Sequence, residues 1–290
     1  MSFPASATEP RLQARAAELL VAGSLELSPR ELHRAGEVAA LLPATTCIYL
    51  PSLPGLPLAR TLEAVAALRA AGLDPVPHVS ARRILNRDEF QSFLKEAVTR
   101  HAVHRVLLLG GDEPKPKGPF ADSLQILESG LLRDSGIREI GVAGYPEGHP
   151  RIGGALLKEA FERKLHLARE QGLGVYVVTQ FSFAPNRVVE YCARLARSAP
   201  DVSIYVGVAG PTDPVALARY AQRCGVSVSL RALKSLGSGI ARLVTNSDPR
   251  EQLVALARYS LAREPSNVVG VHLYSFGGAV KTASWMRELI

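Results

Sequence analysis

The sequence predicts an α/β fold of one particular kind, a single-domain (β/α)8 TIM barrel. Helix-like segments with apolar residues every three or four positions alternate with short β-rich segments about eight times along the chain. Strict alternation requires a parallel sheet covered by helices, and about eight units close naturally into a barrel of this length, 290 residues. An open doubly wound sheet is the alternative. It would need a Gly-x-Gly-x-x-Gly turn after the first strand, where the chain reads Leu27-Ser28-Pro29-Arg30-Glu31.

The elements follow a loose amino-terminal end. Residues 1–10 have no periodicity and residues 11–22 predict a lead-in helix, so we assign 1–22 to an N-terminal extension and 23–290 to the barrel. The predicted strands cover residues 23–29, 45–50, 75–80, 105–109, 139–143, 175–180, 202–208 and 268–275. The predicted helices cover residues 29–42, 58–71, 88–101, 121–135, 155–171, 186–198, 215–224, 249–263 and 280–289. Residues 225–248 interrupt this rhythm and predict a helical excursion or a mobile loop.

Composition narrows the class of protein. Hydrophobic residues make up 47% of the chain and charged residues 21%, which predicts a large buried core. No apolar stretch reaches the roughly 18 to 20 residues that span a bilayer, and the N-terminus lacks a basic segment followed by an apolar one. We therefore expect a cytoplasmic protein without membrane association.

Cysteine spacing and net charge give no support for a metal site or a nucleic-acid partner. Cys47, Cys192 and Cys224 lie far apart and form no Cys-x-x-Cys pair, so neither a disulfide framework nor a zinc site is predicted. The net charge of +7 is spread over many helices without an aromatic-rich basic stripe. An anionic small ligand explains this charge as well as a nucleic acid does. The sequence leaves a homo-oligomer open.

Polar side chains collect where the predicted strands end, and in a parallel barrel that face carries active sites. Glu26 lies in the first strand; a carboxylate that faces a core must be paired or used, whereas an outward-facing position would need no function. The other strand-end residues are Tyr49, His78 with Arg82 and Arg83, Asp112, Tyr145, His149, Gln180 and Tyr274. Each alone fits an ordinary turn or structural role, but together they predict a site. No Ser/His/Asp arrangement or Gly-x-x-x-x-Gly-Lys-Ser/Thr loop is present, which argues against acyl-enzyme hydrolysis.

These strand ends resemble those of the methylenetetrahydrofolate reductases, from about residue 20 to the C-terminus. The motifs occur in the family's order and spacing, and Tyr-Pro-Glu-x-His-Pro and Thr-Gln-Phe-x-Phe are specific to it. They are Ser24-Leu25-Glu26-Leu27-Ser28-Pro29, Pro77-His78, Leu109-Gly110-Gly111-Asp112, Ala143-Gly144-Tyr145-Pro146-Glu147-Gly148-His149-Pro150, Thr179-Gln180-Phe181-Ser182-Phe183 and His272-Leu273-Tyr274-Ser275.

The resemblance implies a barrel that binds FAD at the carboxyl ends of its strands. The flavin would carry a hydride between NAD(P)H and a folate by a ping-pong route. Glu26 matches the family's general acid, and Asp112 matches the aspartate near the flavin and the pterin. Positions implied to contact the flavin are Tyr49, His78, Gly110, Gly111, Asp112, Phe120, Ala121, Tyr145 and His149, with Lys164 or Arg169 in the role of a lysine. Positions implied to contact the folate are Glu26, Asp112, Gln180 and Tyr274.

Several positions depart from the family pattern. Gly110 stands where the family has an arginine near the flavin phosphates, a role that Arg82 or Arg83 would have to take over. Gly277 and Gly278 replace an Asn-Arg pair, so the arginine that holds the folate tail is absent. Ile48 and Leu50 replace the threonine and glycine beside the tyrosine. These departures keep a second hypothesis open, in which the barrel binds folate or a partner protein and has lost its redox activity. The sequence decides neither the reaction's direction nor the choice between NADH and NADPH.

Overall fold

A computed structural model gives the structure of the chain and describes residues 9–212, 214–223, 226, 249–263 and 265–290. The excursion predicted for residues 225–248 therefore lies outside the described residues, apart from Val226. No helix within these ranges is long and apolar enough to cross a membrane.

Eight parallel strands form a closed barrel in which each strand pairs with its neighbours in sequence and β8 pairs with β1. The strands are β1 Ser24–Glu26, β2 Cys47–Leu50, β3 Asp74–Ser80, β4 Arg105–Leu109, β5 Glu139–Gly144, β6 Gly174–Thr179, β7 Ser203–Ala209 and β8 Val268–Tyr274. The predicted TIM barrel is confirmed. Because all strands are parallel, their carboxyl ends form one rim, which we call the mouth, and their first residues form the opposite rim, which we call the floor.

Helices connect the strands and cover the outside of the barrel. They are α1 Glu9–Val21, α2 Ala35–Leu41, α3 Leu58–Ala70, α4 Arg87–His101, α5 Ser123–Glu128, α6 Leu131–Asp134, α7 Gly154–Glu170, α8 Pro185–Ser198, α9 Pro214–Arg223, α10 Arg250–Leu261 and α11 Ala279–Arg287. Helix α1 packs against α10 and β8, so the described part of the predicted extension is docked on the barrel. The boundary at residue 22 stays a prediction.

Two predicted helices are divided in the structure. The segment predicted as 29–42 begins with a 3-10 helix, Pro29–Arg34, which Ser28 caps through a hydrogen bond from Arg30 N–H, and only then continues as α2. The segment predicted as 121–135 breaks into α5 and α6 at Gly130, whose φ of +72° ends the first helix. The first strand is also shorter than predicted, because pairing with β2 and β8 ends at Glu26.

The barrel interior is filled by alternate residues of each strand, as the pleat of a strand requires. Aliphatic side chains from β3, β4 and β6 pack with two tyrosines into one buried cluster. Its members are Tyr49, Val76, Leu107, Tyr176 and Val178. A larger apolar layer lies between the strands and the helices. The interior is therefore a packed core, and any site must lie at one of its two rims.

Candidate active site

Glu26 is the last residue of β1 and lies at the mouth, partly buried. Burial, and to a smaller extent the nearby Glu31 carboxylate, together raise the pKa of its carboxyl group to about 7. The carboxyl group has no hydrogen-bond partner among the described residues. An acid of this kind holds a proton near neutral pH and can release it to a ligand.

Below Glu26 the barrel holds two neutral histidines beside Tyr49. The ring of Tyr49 meets His272 edge-on at 4.5 Å and His78 at 5.9 Å, measured between ring centroids. Burial lowers the pKa of each histidine to about 3, so both imidazoles are uncharged at neutral pH. His272 Nδ1 forms a 2.9 Å hydrogen bond with the Ser24 hydroxyl. The Nε2 atoms of both histidines are buried and have no partner in the described part of the chain.

Tyr49 lies deeper than its implied contact with a flavin suggested. Its side chain is almost fully buried, and its hydroxyl donates a 3.1 Å hydrogen bond to the hydroxyl of Tyr176. The sequence analysis missed Ser24, His272 and Tyr176, which complete this interior network. Alternation offered a signal, since Ser24 and Glu26, like His272 and Tyr274, are two residues apart and therefore point to the same side of a strand.

The loops after β4 and β5 bring Asp112, Tyr145 and His149 together. Asp112 forms a 3.3 Å ion pair with Arg151, and its side chain is 88% exposed. The rings of Tyr145 and His149 meet edge-on at 4.9 Å. Burial raises the pKa of Tyr145, and the Asp112 carboxylate adds to this effect. Burial and the Arg151 charge lower the pKa of His149, whereas Asp112 opposes them.

The two glycines before Asp112 differ in what they allow. Gly111 has a φ of +95°, a backbone conformation that residues other than glycine rarely adopt. A Cβ at this position would lie 3.2 Å from the Glu113 carboxylate. A Cβ at Gly110 would meet nothing within 4 Å. The structure therefore requires a glycine at position 111 and leaves open space beside position 110.

Arg82 and Arg83 hold the loop that follows β4. Arg82 donates hydrogen bonds to the carbonyls of Ala121 and Glu113, at 2.8 and 3.0 Å. Arg83 forms a largely buried ion pair with Glu113 at 2.6 Å. Both guanidinium groups are thus engaged within the protein and are poorly placed to replace the arginine that is missing at Gly110.

Phe120 and Ala121 have structural contacts of their own. The Phe120 ring is buried and packs edge-on against Phe90 at 6.2 Å, so it belongs to the core between strands and helices. The N–H of Ala121 donates to Gln125 Oε1 at 2.7 Å. Through its carbonyl bond to Arg82, Ala121 keeps this loop against the mouth.

The structure separates the two candidates for the flavin-binding lysine. Lys164 is partly buried in α7, burial lowers its pKa, and the Asp122 carboxylate after the β4 loop opposes that effect. Its ammonium group has no hydrogen-bond partner among the described residues. Arg169 forms a 2.6 Å ion pair with Asp201, which precedes β7 and therefore lies at the floor. Lys164 is thus near the loop that carries Ala121, and Arg169 is at the opposite rim.

Gln180 and Tyr274 lie on neighbouring parts of the mouth. The Gln180 N–H donates to Gly144 O at 2.8 Å, and its side-chain oxygen accepts from the Phe181 N–H at 3.1 Å. The Tyr274 hydroxyl donates to the carbonyl of Thr179 at 3.0 Å. Within the described ranges, the side-chain nitrogen of Gln180 donates no hydrogen bond.

An aromatic cluster beside Tyr274 is a second feature that the sequence analysis missed. The Phe181 ring packs edge-on against Tyr274 at 5.6 Å and against Phe276 at 5.1 Å. Phe276 has a φ of +51°, which is unusual for a residue with a bulky side chain. The cluster gives the mouth an apolar wall on the β6 and β8 side, suited to a flat ring system.

The unpaired groups at the mouth bear on which cofactor the site could hold. No group of three potential metal ligands occurs among the described residues. A flavin would meet two nitrogen atoms that have no partner among the described residues, His78 Nε2 and the Lys164 ammonium. It would also meet open space beside Gly110. Buried polar groups without protein partners are expected where a ligand supplies the missing hydrogen bonds.

The closed parallel barrel of eight strands, with a protonatable acid and unpaired polar groups at its mouth among the described residues, places the chain in the (β/α)8 class of folds. Residues 55–277 match the family model described as methylenetetrahydrofolate reductase. This match covers most of the chain, and the chain belongs to the methylenetetrahydrofolate reductase family. Glu26 and Tyr49 lie before the matched residues.

The chain is 29% identical over 142 residues to the 5,10-methylenetetrahydrofolate reductase of Salmonella typhimurium strain LT2. The alignment spans 47% of this chain and 44% of that relative, so less than half of the relative's length is matched. Among solved structures, the dihydropteroate synthase of Thermus thermophilus gives a TM-score of 0.49 at 16% identity over 92% of both chains. The 3-dehydroquinate dehydratase of Geobacillus kaustophilus gives 0.42 at 14% identity, over 67% of this chain and 75% of that one.

Proposed function

We propose that the protein is a flavin-dependent oxidoreductase that interconverts 5,10-methylenetetrahydrofolate and 5-methyltetrahydrofolate, with FAD as cofactor and NAD(P)H or NAD(P)+ as co-substrate. The observation that carries this proposal is Glu26, a partly buried carboxyl group at the mouth whose pKa is raised to about 7. Opening the methylene bridge of the folate requires a proton on a folate nitrogen, and Glu26 is a suitable donor. Microscopic reversibility lets the same residue serve both directions.

The residues that would hold FAD lie on β3, on the loops after β4 and β5, and on α7. Gly111 lets the backbone approach the ring system, while His78 and Lys164 offer nitrogen atoms that lack partners among the described residues. Tyr145 and His149 form an adjoining aromatic surface. When bound, the flavin would supply the redox chemistry, and the protein would supply orientation and electrostatics.

The folate would lie between Glu26 and the aromatic cluster. Gln180 presents a side-chain amide, and the partly exposed rings of Tyr274 and Phe276 provide apolar surfaces for the pterin and the aminobenzoate. Asp112 places a negative charge near the loop after β5, where it favours positive charge that develops on the folate. These contacts would orient the reacting carbon and exclude water from it.

The test is the flavin content and the two half-reactions of the purified protein. We expect a yellow protein whose flavin absorbance is bleached by NADH or NADPH under anaerobic conditions and restored by methylenetetrahydrofolate. The nucleotide that bleaches faster identifies the preferred co-substrate. Reduction without reoxidation by the folate would remove the folate from the proposal and leave a flavin reductase.

The second candidate is a folate-binding or partner-protein module without redox activity. The glycines at positions 110 and 278 favour it, because each stands where the resemblance implies a ligand-binding arginine. A colourless protein that gains no flavin absorbance when it is incubated with FAD, yet binds a reduced folate in calorimetry, would establish this candidate. A flavin content near one equivalent per chain in the purified protein would exclude this second candidate.

A further inference from the structure

Glu31 joins the loop after β1 to the start of α11. It lies in the 3-10 helix Pro29–Arg34, five positions after Glu26. Its Oε1 atom accepts a 3.2 Å hydrogen bond from the N–H of Ala279, the first residue of α11. The residue before that helix is Gly278, which has no side chain to cap it. Glu31 thus provides the cap from a distant part of the chain.

The second oxygen of Glu31 is buried and has no partner among the described residues. This oxygen, Oε2, is unusual, because buried carboxylate oxygens normally accept a hydrogen bond. Arg34, in the same 3-10 helix, is close enough to feel the charge of Glu31, but its guanidinium binds both oxygens of Glu37 at 2.8 to 3.0 Å. Among the described residues, the hydrogen bond to the Glu31 carboxylate therefore comes from the amino-terminal end of α11, whose dipole favours an anion.

The other titratable groups near Glu26 are uncharged, so Glu31 is the described charged group that affects the pKa of Glu26. Tyr49 on β2 has a pKa raised well above its usual value by burial, and His272 on β8 has one lowered to about 3. Both side chains are uncharged at neutral pH, as is His78 on β3. The nearby Glu31 carboxylate raises the pKa of Glu26 in addition to burial, and no described cation opposes it.

We propose that Glu31 is a positioning residue for the reaction: anchored on the end of α11, its fixed negative charge adds to burial in keeping Glu26 in the acid form that donates the proton. The inference rests on the proposed function of Glu26. It gives a role to a residue that sequence motifs do not mark, and it links the acid to the helix where Gly277 and Gly278 replace the implied Asn-Arg pair. That helix end thereby serves the acid rather than the folate tail.

The decisive variant is Glu31→Gln, because glutamine retains an oxygen for the Ala279 N–H and loses the charge. We expect the pH at which folate turnover falls by half to move to lower pH. At pH 7.5 the turnover should decrease by about two- to ten-fold, since each unit lost from the acid's pKa removes up to about tenfold of its protonated form. At pH 6 it should fall by no more than about twofold, because most of the acid is already protonated there. Reduction of the flavin by the nucleotide should be unchanged at both pH values.

Glu18→Gln is the matched control, because it removes the same charge from an exposed residue of α1 that pairs with Arg15. It should leave the pH profile in place. An equal shift in both variants would overturn the proposal in favour of a general effect of net charge. Glu31→Ala, which also removes the cap, separates helix capping from charge: the proposal expects it to lower the pH midpoint as Glu31→Gln does and, in addition, to lower thermal stability.

A measurement that needs no turnover separates this inference from the proposed function. The carboxyl band of Glu26 in the infrared spectrum, identified by its loss in Glu26→Gln, can be titrated in the full chain. Its midpoint should be lower in Glu31→Gln than in the parent protein. An unchanged midpoint overturns the role of Glu31 even if folate is turned over. A lowered midpoint in a protein that never turns over folate overturns the proposed function and leaves the electrostatic coupling in place.

Discussion

The two rims of the barrel differ in how completely their polar groups are paired: the mouth has the Arg83–Glu113 and Arg151–Asp112 ion pairs but also keeps groups without a partner among the described residues. At the floor, charged groups are paired: Arg69 with Asp74 at 2.6 Å, Arg105 with Glu139 at 3.0 Å and, beside them, Arg169 with Asp201 at 2.6 Å. At the mouth, Glu26 and Lys164 have no partner among the described residues, and within that same set the buried nitrogen and oxygen atoms of His78 and Glu31 are unsatisfied.

This difference shows why a cavity alone does not locate the site. A cavity of about 350 Å³ opens at the floor, lined by Arg105, Glu139 and Tyr176 among others. Its polar groups already satisfy one another, so a ligand there would have to displace existing ion pairs. At the mouth, in contrast, the unpaired polar groups form hydrogen bonds only when a ligand binds. Unpaired buried groups cost stability, and a protein retains them where they serve function.

The largest expected effect is on the acid at the mouth. Glu26→Gln keeps the shape of the side chain and cannot donate the proton, so folate turnover should fall by about 10²- to 10⁴-fold. Reduction of the flavin by the nucleotide should continue at the rate of the parent protein. Glu139→Gln, which changes a carboxylate at the floor in the same way, is the control and should retain turnover. Comparable losses in both variants would erase the functional contrast between the rims.

The same substitution should stabilise the protein at high pH. The pKa of Glu26 is about 7 in the folded chain and about 4.5 in the unfolded one. Its contribution to stability is therefore fully present below about pH 4.5 and is lost as the pH rises through 7, a change of about 3 kcal/mol. Glu26→Gln removes this pH dependence. Urea unfolding at pH 5 and pH 8.5 should show the variant gaining stability relative to the parent at the higher pH; an equal difference at both values would contradict the raised pKa.

How far the sequence predicts the molecule differs between fold and site. The repeated helix and strand periods predict the barrel, because its pattern is local, and Glu26 stands out as a charged residue in an apolar strand. The Ser24, His272 and Tyr176 network was missed, since it depends on which strands become neighbours when the barrel closes. Arg169 and Lys164 could not be distinguished either. Lys164 lies near the Asp122 carboxylate, whereas Arg169 pairs with Asp201 at the floor, and only the packed structure shows this difference.

At the floor, the expected loss is in stability and not in turnover. Arg105 pairs with Glu139, lies 3.8 Å from the Cys47 sulfur and stacks over Tyr176 at 5.8 Å. Arg105→Met should lower the free energy of unfolding by about 1 to 3 kcal/mol, because it leaves polar groups inside the lower barrel unpaired. Denaturant unfolding measures this loss. Turnover at a temperature where the variant is folded should match the parent, and a specific loss of folate turnover would place function at the floor as well.

The two basic residues of α7 provide a matched comparison between the rims. Lys164→Met should lower the affinity for FAD by about tenfold, the effect of losing one charge-assisted hydrogen bond of about 1.4 kcal/mol. Arg169→Met removes the ion pair with Asp201 at the floor and should leave the affinity unchanged. Fluorescence titration of the apoprotein with FAD measures both. Weaker binding in Arg169→Met alone would reverse the assignment of the two residues.

The smallest expected effect is at Asp112, although the resemblance places it beside both the flavin and the pterin. A carboxylate near the flavin disfavours its anionic reduced form, so Asp112→Asn should raise the reduction potential and slow reoxidation by the folate more than reduction by the nucleotide. Here the side chain is 88% exposed and its charge is partly balanced by Arg151 at 3.3 Å. Solvent screening therefore limits the effect to less than about threefold on reoxidation. Arg151→Gln should act in the opposite direction, because it leaves the Asp112 charge unbalanced. A redox titration and stopped-flow traces of both half-reactions test the pair; a loss of a hundredfold or more in Asp112→Asn would show that this residue becomes buried against the ligands when they bind.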